Sequence, residues 1–155
     1  MKEKKVFISH HGKDDEHIGK LKDLLGDKGY TLKNSSIDST KPNDAKNTDY
    51  IKSMLRPRIN WAGAMIVLIG PGTAKRDFVN WEIEQAAKAD KNIFGVYIRG
   101  GTDSDIPPAL NKYGCGAFGW MSDKIIDALN GKSPGWEKAD GSPRDSYYKA
   151  SGVDC

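Results

Sequence analysis

The chain has 155 residues, of which 37% are hydrophobic and 29% charged, and this composition is typical of one soluble globular domain. The 24 basic and 21 acidic residues give a net charge of +3, which is too small and too interspersed to indicate a nucleic-acid-binding protein. No apolar run approaches the roughly 18 residues of a membrane span, and the start of the chain lacks a signal-peptide pattern. We therefore expect a cytoplasmic protein with neither a nucleic acid nor a membrane as partner.

The hydrophobic pattern predicts strands that alternate with helices. In chain order the predicted elements are a strand over residues 6–9, a helix over 14–28, a weaker strand over 30–37, a helix from about residue 44 or 48 to 55, a strand over 62–69, a helix over 76–90, a strand over 93–98, a short strand over 117–120 and a last helix that ends near Leu129. Pro57 is expected to limit the second helix, and residues 100–116 are expected to form a Gly- and Pro-rich loop.

Strands that alternate with helices indicate βαβ crossovers and a parallel sheet covered on both faces. The strand over residues 62–69 is apolar without alternation, as is typical of a central strand of such a sheet. Five βα units in about 130 residues predict a flavodoxin-like α/β fold of three layers, with a five-stranded parallel sheet in the order 2-1-3-4-5. Residues 1–130 are expected to form this domain, and residues 131–155 to be a polar tail that is irregular or partly disordered.

Ligands of open α/β sheets bind beyond the carboxyl ends of the strands, which places candidate sites in the loops after residues 9, 37, 69 and 98. Several known chemistries are excluded there, since no phospho-acceptor aspartate follows the third strand and no Rossmann glycine pattern or P-loop is present. The three histidines form no metal set, because His10 and His11 would point to opposite sides of a strand end. We therefore expect no metal ion.

The remaining candidate is a carboxylate on the third predicted helix. Phe78 and Glu82 are four residues apart and share one face of this helix, with Trp81 beside it. The core stripe that includes Val79 is rotated away, so Glu82 is expected at the rim of the site. An aromatic ring there would stack on a base or on nicotinamide while the carboxylate holds a ribose hydroxyl. The alternative is an ordinary solvated glutamate, as we expect Glu84 to be.

Short segments with a characteristic order and spacing are spread over roughly residues 4–100, with a looser match to residue 130. They are residues 5–10, an acid at Asp14 or Asp15, residues 44–46 with Ile51, residues 66–70, Thr73, residues 78–83 and residues 92–98. Together they resemble a TIR domain, and in particular the TIR component of bacterial Thoeris antiphage defence systems.

The resemblance implies roles for individual residues. Glu82 takes the position of the catalytic glutamate, and Phe78 takes the position where the family usually has tryptophan. The substrate-binding residues implied are Ser9, His10, His11, Asp38, Thr73 and Phe78. Ser9 and the two histidines would line the diphosphate and ribose side. The alternative is that one of these three residues merely caps the first helix.

The activity implied is cleavage of the bond between nicotinamide and ribose in NAD+, by an NAD+ nucleosidase or cyclase. NAD+ is then the substrate, and no cofactor is required. The product would be an ADP-ribose-derived signalling nucleotide in antiphage defence, sensed by a separate effector protein. A carboxylate suffices for this chemistry, since nicotinamide leaves without protonation and the acid offsets charge on an oxocarbenium-like centre.

Residues 38–47 and the third helix are implied in self-association through TIR–TIR contacts. Residues 41–60 hold five bases and two acids, an excess that either attracts a dinucleotide or forms a solvated helix face. One competing hypothesis for the whole chain is a non-catalytic TIR adaptor that acts through such association alone, and another is a small nucleotide-binding sensor without catalytic activity.

Overall fold

A computed structural model, which describes residues 2–36, 48–132 and 135–144, contains a parallel sheet in the order β2-β1-β3-β4-β5-β6. The strands in this part of the chain are β1 (Lys2–Ser9), β2 (Tyr30–Asn34), β3 (Ala64–Ile69), β4 (Asn92–Tyr97), β5 (Gly116–Phe118) and β6 (Gly135–Trp136). The helices are α1 (Glu16–Gly26), α2 (Thr48–Trp61), α3 (Asp77–Lys88), α4 (Pro108–Tyr113) and α5 (Ser122–Leu129). The predicted α/β fold and the order of its first five strands are confirmed.

The two faces of the sheet bury two separate hydrophobic clusters, because successive side chains of a strand point to opposite sides. Phe7 of β1 and Val67 of β3 belong to the cluster under α2, α3 and α4. Ile8 and Leu68, their neighbours in sequence, belong to the cluster under α1 and α5. β3 is buried along its whole length, as its unbroken apolar run predicts. The result is the predicted arrangement of three layers.

The sheet has a sixth strand where the sequence predicts an irregular tail. β6 pairs with β5 in parallel, and the following residue is held at both its backbone groups. The Glu137 amide donates to Ala117 O at 2.8 Å, and the Tyr97 hydroxyl donates to Glu137 O at 2.9 Å. Lys124 of α5 forms an ion pair with the Glu137 side chain. A strand of two residues is too short to show alternation, which is why the sequence pattern misses it.

Two helical segments differ from the predicted ones. α2 continues through Pro57 to Trp61, since Leu55 and Ile59 are buried on either side of an exposed proline. The carbonyl that proline leaves without a helical partner is Ser53 O, and Ser53 is exposed to solvent. α4 interrupts the loop predicted over residues 100–116; it starts at Pro108, where the fixed φ of proline suits the first turn of a helix.

No helix within the described ranges combines the length and the apolar character that crossing a membrane requires.

Gly101 lies in the turn after β4, where the chain passes close to the end of β3. A Cβ atom on this residue would lie 2.1 Å from Ile69 O, a backbone atom that cannot move aside alone. We expect Gly101→Ala to lower the free energy of unfolding by about 1–3 kcal/mol, measured by chemical denaturation. Gly19→Ala is the matched control, because a Cβ there meets nothing within 4 Å and alanine favours a helix. Equal effects of the two substitutions would contradict the close approach.

Candidate active site

The candidate site lies where the chain order of the sheet reverses. From β1 the chain goes to β2 on one side, and β3 and β4 follow on the other side. The carboxyl ends of β1 and β3 therefore mark the topological switch point, the place where ligands of open α/β sheets bind. Ser9 ends β1 there, and α3 begins after the short loop that follows β3.

Ser9 and Glu82 form a buried hydrogen-bonded pair at this point. The Ser9 hydroxyl donates to Glu82 Oε1 at 2.7 Å, and the two residues are only 1% and 9% exposed. Ser9 is two positions after Phe7 and so faces α3. The pair joins the end of a central strand to the second turn of the helix that covers it.

The expectation that Glu82 lies at the rim was wrong. Glu82 is buried together with the core residues Val79 and Ile83 of α3. Because α3 packs against α2 and α4 as well as the sheet, its buried arc is wide enough to include position 82. Glu84 is exposed, as predicted. The carboxyl group of Glu82 is therefore taken out of water, unlike that of its neighbour two residues on.

Burial raises the pKa of Glu82 to about 8, and the hydrogen bond from Ser9 opposes this rise. Near neutral pH the folded protein thus holds a carboxyl group in which both the protonated and the ionised form are accessible. Such a group suits acid–base or electrostatic chemistry, because its pKa lies close to the working pH.

We expect Ser9→Ala to raise the pKa of Glu82 further, by about one unit, since the hydroxyl stabilises the carboxylate through a hydrogen bond worth about 1–1.5 kcal/mol. The side-chain carboxyl ¹³C shift of Glu82, followed from pH 5 to 10, measures this directly. Ser9→Thr keeps the hydroxyl and is the matched control, with a titration close to that of the unaltered chain. An unchanged midpoint in Ser9→Ala would show that the hydroxyl does not act on Glu82.

The two adjacent histidines have different surroundings. His10 lies on the opposite face of the sheet from Ser9, its Nδ1 donates to Ile8 O at 2.9 Å, and its Nε2 contacts the Asp15 carboxylate. His10 thereby links β1 to the residue that precedes α1. This contact favours a structural role at the start of the first helix over substrate binding for this histidine. His11 is half-buried and lies near Gly72 in the loop after β3, within 3.8 Å of the position that a Cβ on Gly72 would take.

The other three predicted site residues, Thr73, Phe78 and Asp38, differ in their surroundings. Thr73 is fully buried; its hydroxyl accepts from the Gly70 amide at 3.0 Å and is directed at Leu68 O at 3.5 Å, so it holds the turn after β3. Phe78 is half-buried and packs against the cluster that contains α3. Asp38 lies outside the described residues, as does the loop expected to take part in self-association.

Trp81 faces α2 rather than the Ser9–Glu82 pair. The cationic groups of Lys52 and Arg56 each lie 5.4 Å from the centre of its ring. The third described base of this segment, Arg58, donates to Ser35 O at 3.4 Å. Two of these three cations thus pack on a tryptophan at the α2–α3 contact, which favours the helix-face interpretation for this part of the basic segment.

Asp14 is an acid of this edge whose position the sequence does not reveal. It is 6% exposed, and within the described ranges its Oδ2 has no hydrogen-bond partner. A Cβ on Gly70 would lie 2.8 Å from that oxygen, so the glycine after β3 makes room for the carboxyl group. The sequence predicts Asp14 in the first turn of a helix, where an acid is ordinarily solvated. The one sequence feature that relates to its burial is Gly70, whose lack of a side chain leaves room for the carboxyl group.

The model of the family described as "Thoeris protein ThsB, TIR-like domain" matches residues 7–103. No curated protein sequence matches the chain. Among solved structures, the chain is similar to a 2-deoxyribosyltransferase from Bacillus psychrosaccharolyticus, with 18% identity, a TM-score of 0.44 and coverage of 60% of this chain and 72% of the other. It is also similar to the TIR domains of the activated Roq1 resistosome, with 20% identity, a TM-score of 0.43 and coverage of 61% of this chain and 57% of the other.

Proposed function

The chain belongs to the TIR-like domain family of the Thoeris protein ThsB, and from this premise we propose that it is an enzyme that cleaves the nicotinamide N-glycosidic bond of NAD+. The observation that carries the proposal is the buried Ser9–Glu82 pair at the topological switch point of the sheet. It supplies the acid that this chemistry requires, at the edge of the sheet where a dinucleotide would bind.

The reaction requires little of the protein beyond charge and orientation. The bond between nicotinamide nitrogen and ribose C1′ breaks, and its electron pair leaves with nicotinamide, which becomes neutral. Positive charge then develops on the ribosyl ring as an oxocarbenium-like centre. The carboxylate of Glu82 stabilises that charge and holds a ribose hydroxyl. Water, or a nucleophilic atom of the same ADP-ribosyl group, adds to C1′ and releases one proton, which Glu82 is suited to accept because its pKa is about 8.

Burial of Glu82 favours a cationic substrate. In the free protein the carboxyl group is largely protonated at neutral pH, since ionisation in a buried position is costly. The pyridinium of NAD+ placed beside it favours the carboxylate by direct charge attraction. The substrate thus generates the ionised form of Glu82 that the reaction uses, and an uncharged riboside would not.

The product and partners belong to the same proposal. We infer that the product is an ADP-ribose-derived signalling nucleotide in antiphage defence, that a separate effector protein senses it, and that self-association of this domain activates it. These inferences rest on membership of the family, together with the role proposed for Glu82.

The proposal is tested with purified protein over a range of concentrations, since association is part of the proposed activation. Loss of NAD+ and release of nicotinamide are followed by liquid chromatography and mass spectrometry, which also identify the product. Turnover that depends on Glu82 is the expected result. Intact NAD+ at every concentration and in every assembled state would favour the adaptor hypothesis instead.

A further inference from the structure

A pocket lies at the carboxyl end of β4, mainly on the other face of the sheet from Glu82. Its volume is about 480 Å³, within the size range of small-molecule sites, and it opens beyond the carboxyl end of β4 beside the loop that follows β5. Ile98 belongs to the cluster under α1 and α5 and Trp120 packs against it, whereas Tyr97 is the lining residue that belongs to the cluster under α3. Neither Ser9 nor Glu82 lines the pocket. The pocket is therefore separate from the candidate active site.

Two cations, Lys20 and Arg99, line this pocket together with the His17 imidazole, which lies 3.8 Å from the Glu16 carboxylate, and among its described lining residues none is acidic. Lys20 and His17 come from one face of α1, three residues apart, and Arg99 follows β4. Lys20 and Arg99 are exposed, and neither forms an ion pair with a carboxylate within the ranges that the structure describes. Asp14 is buried close to Ile98 but does not line the pocket. Unpaired cations around a concave surface favour an anionic ligand.

The walls of the pocket suit a planar group next to that anion. Trp120 is half-buried and meets the His17 ring edge-on, with the ring centres 6.2 Å apart. Gly119 precedes it, and a Cβ on Gly119 would meet nothing within 4 Å, so open space lies beside the tryptophan. Gly100 and Gly101 form another wall of the pocket with their backbone.

We propose that this pocket binds a phosphorylated nucleoside, with its phosphate at Lys20 and Arg99 and its base against Trp120. An inorganic anion alone would leave the aromatic wall unused, and a neutral nucleoside would leave the cations without a partner. A phosphate paired with cations and a base stacked on an aromatic ring are the two contacts that nucleotides typically make with proteins. The site neither requires Glu82 nor depends on the activity proposed for it.

The test is calorimetric titration of the full chain with AMP, and separately with inorganic phosphate and with adenosine. We expect AMP to bind more tightly than either part and to bind less tightly as salt is raised. Lys20→Gln and Arg99→Gln should each weaken AMP binding about five- to tenfold. Lys22→Gln is the matched control, since Lys22 is also exposed on α1 but does not line the pocket, and it should leave the affinity unchanged.

Two further variants separate this site from the candidate active site and test the aromatic contact. Glu82→Gln should bind AMP as the unaltered chain does. Trp120→Leu should remove most of the preference for AMP over inorganic phosphate, and Trp120→Phe should restore it. The proposal is overturned if AMP does not bind, if Lys20→Gln and Lys22→Gln behave alike, or if Glu82→Gln alone abolishes binding. That last outcome would assign the nucleotide to the active site.

Discussion

Glu82→Gln is expected to lower the rate of NAD+ cleavage by about 10²–10⁴-fold, the usual contribution of a positioned acid–base group. Glutamine has nearly the same shape as glutamate, and its side-chain oxygen can still accept the Ser9 hydrogen bond. What it removes is the negative charge that offsets the oxocarbenium-like centre. The loss should therefore appear in kcat, measured by nicotinamide release at saturating NAD+.

Glu84→Gln is the matched control for this experiment. It makes the same chemical change two residues further along α3, at an exposed position. We expect it to retain full activity. Equal turnover of NAD+ by Glu82→Gln and by the unaltered chain would contradict the proposed enzyme, whereas equal loss in both variants would indicate a general effect on α3.

The same substitution is expected to stabilise the protein at high pH. Glu82 has a pKa of about 8 when folded, against an ordinary value of 4.5, so between these pH values the folded state binds more protons than the unfolded state. The free energy of unfolding contributed by this group is then fully present below pH 4.5 and is lost as pH rises through about 8. Glu82→Gln removes this loss because glutamine does not ionise.

We expect the difference in unfolding free energy between Glu82→Gln and the unaltered chain to increase by about 3–5 kcal/mol from pH 5 to pH 9, in favour of the variant. Urea denaturation at the two pH values measures it. Glu84→Gln should show no such increase, because Glu84 is exposed. A constant difference across this pH range would mean that burial does not raise the pKa of Glu82. A gain in stability together with a loss of activity would mark a group placed for function at the expense of the fold.

The longer strands and helices can be predicted from the sequence because their hydrophobic patterns extend over many residues. The unbroken apolar run of β3 predicts a central strand, and the helical spacing of Ile83 and its neighbours predicts α3. β6 and α4 lack such signals, since a strand of two residues and a helix of six are too short for a repeating hydrophobic pattern to be recognised. These elements form because their neighbours pack against them.

The surroundings of the candidate site residues could not be predicted from the sequence. The sequence alone shows that Glu82 follows Phe78 by four residues and shares a helix face with it. Its burial depends on α2 and α4, which pack on α3 from distant parts of the sequence. The structural role of His10 depends likewise on a contact with Asp15 that spacing does not reveal. Spacing thus makes Glu82 a candidate and the resemblance implies its role, whereas tertiary packing sets its pKa.

The segment after residue 134 also determines how the sheet ends. β5 has only three residues, and its outer edge is covered by β6 and by the Glu137 amide. A polypeptide cut at residue 130, where the hydrophobic pattern stops, would present that edge with unpaired amides and carbonyls. Such an edge is a template for pairing with other chains and hence for aggregation. By covering the edge of β5, β6 therefore reduces the tendency to aggregate, and shortened versions of this domain should keep it.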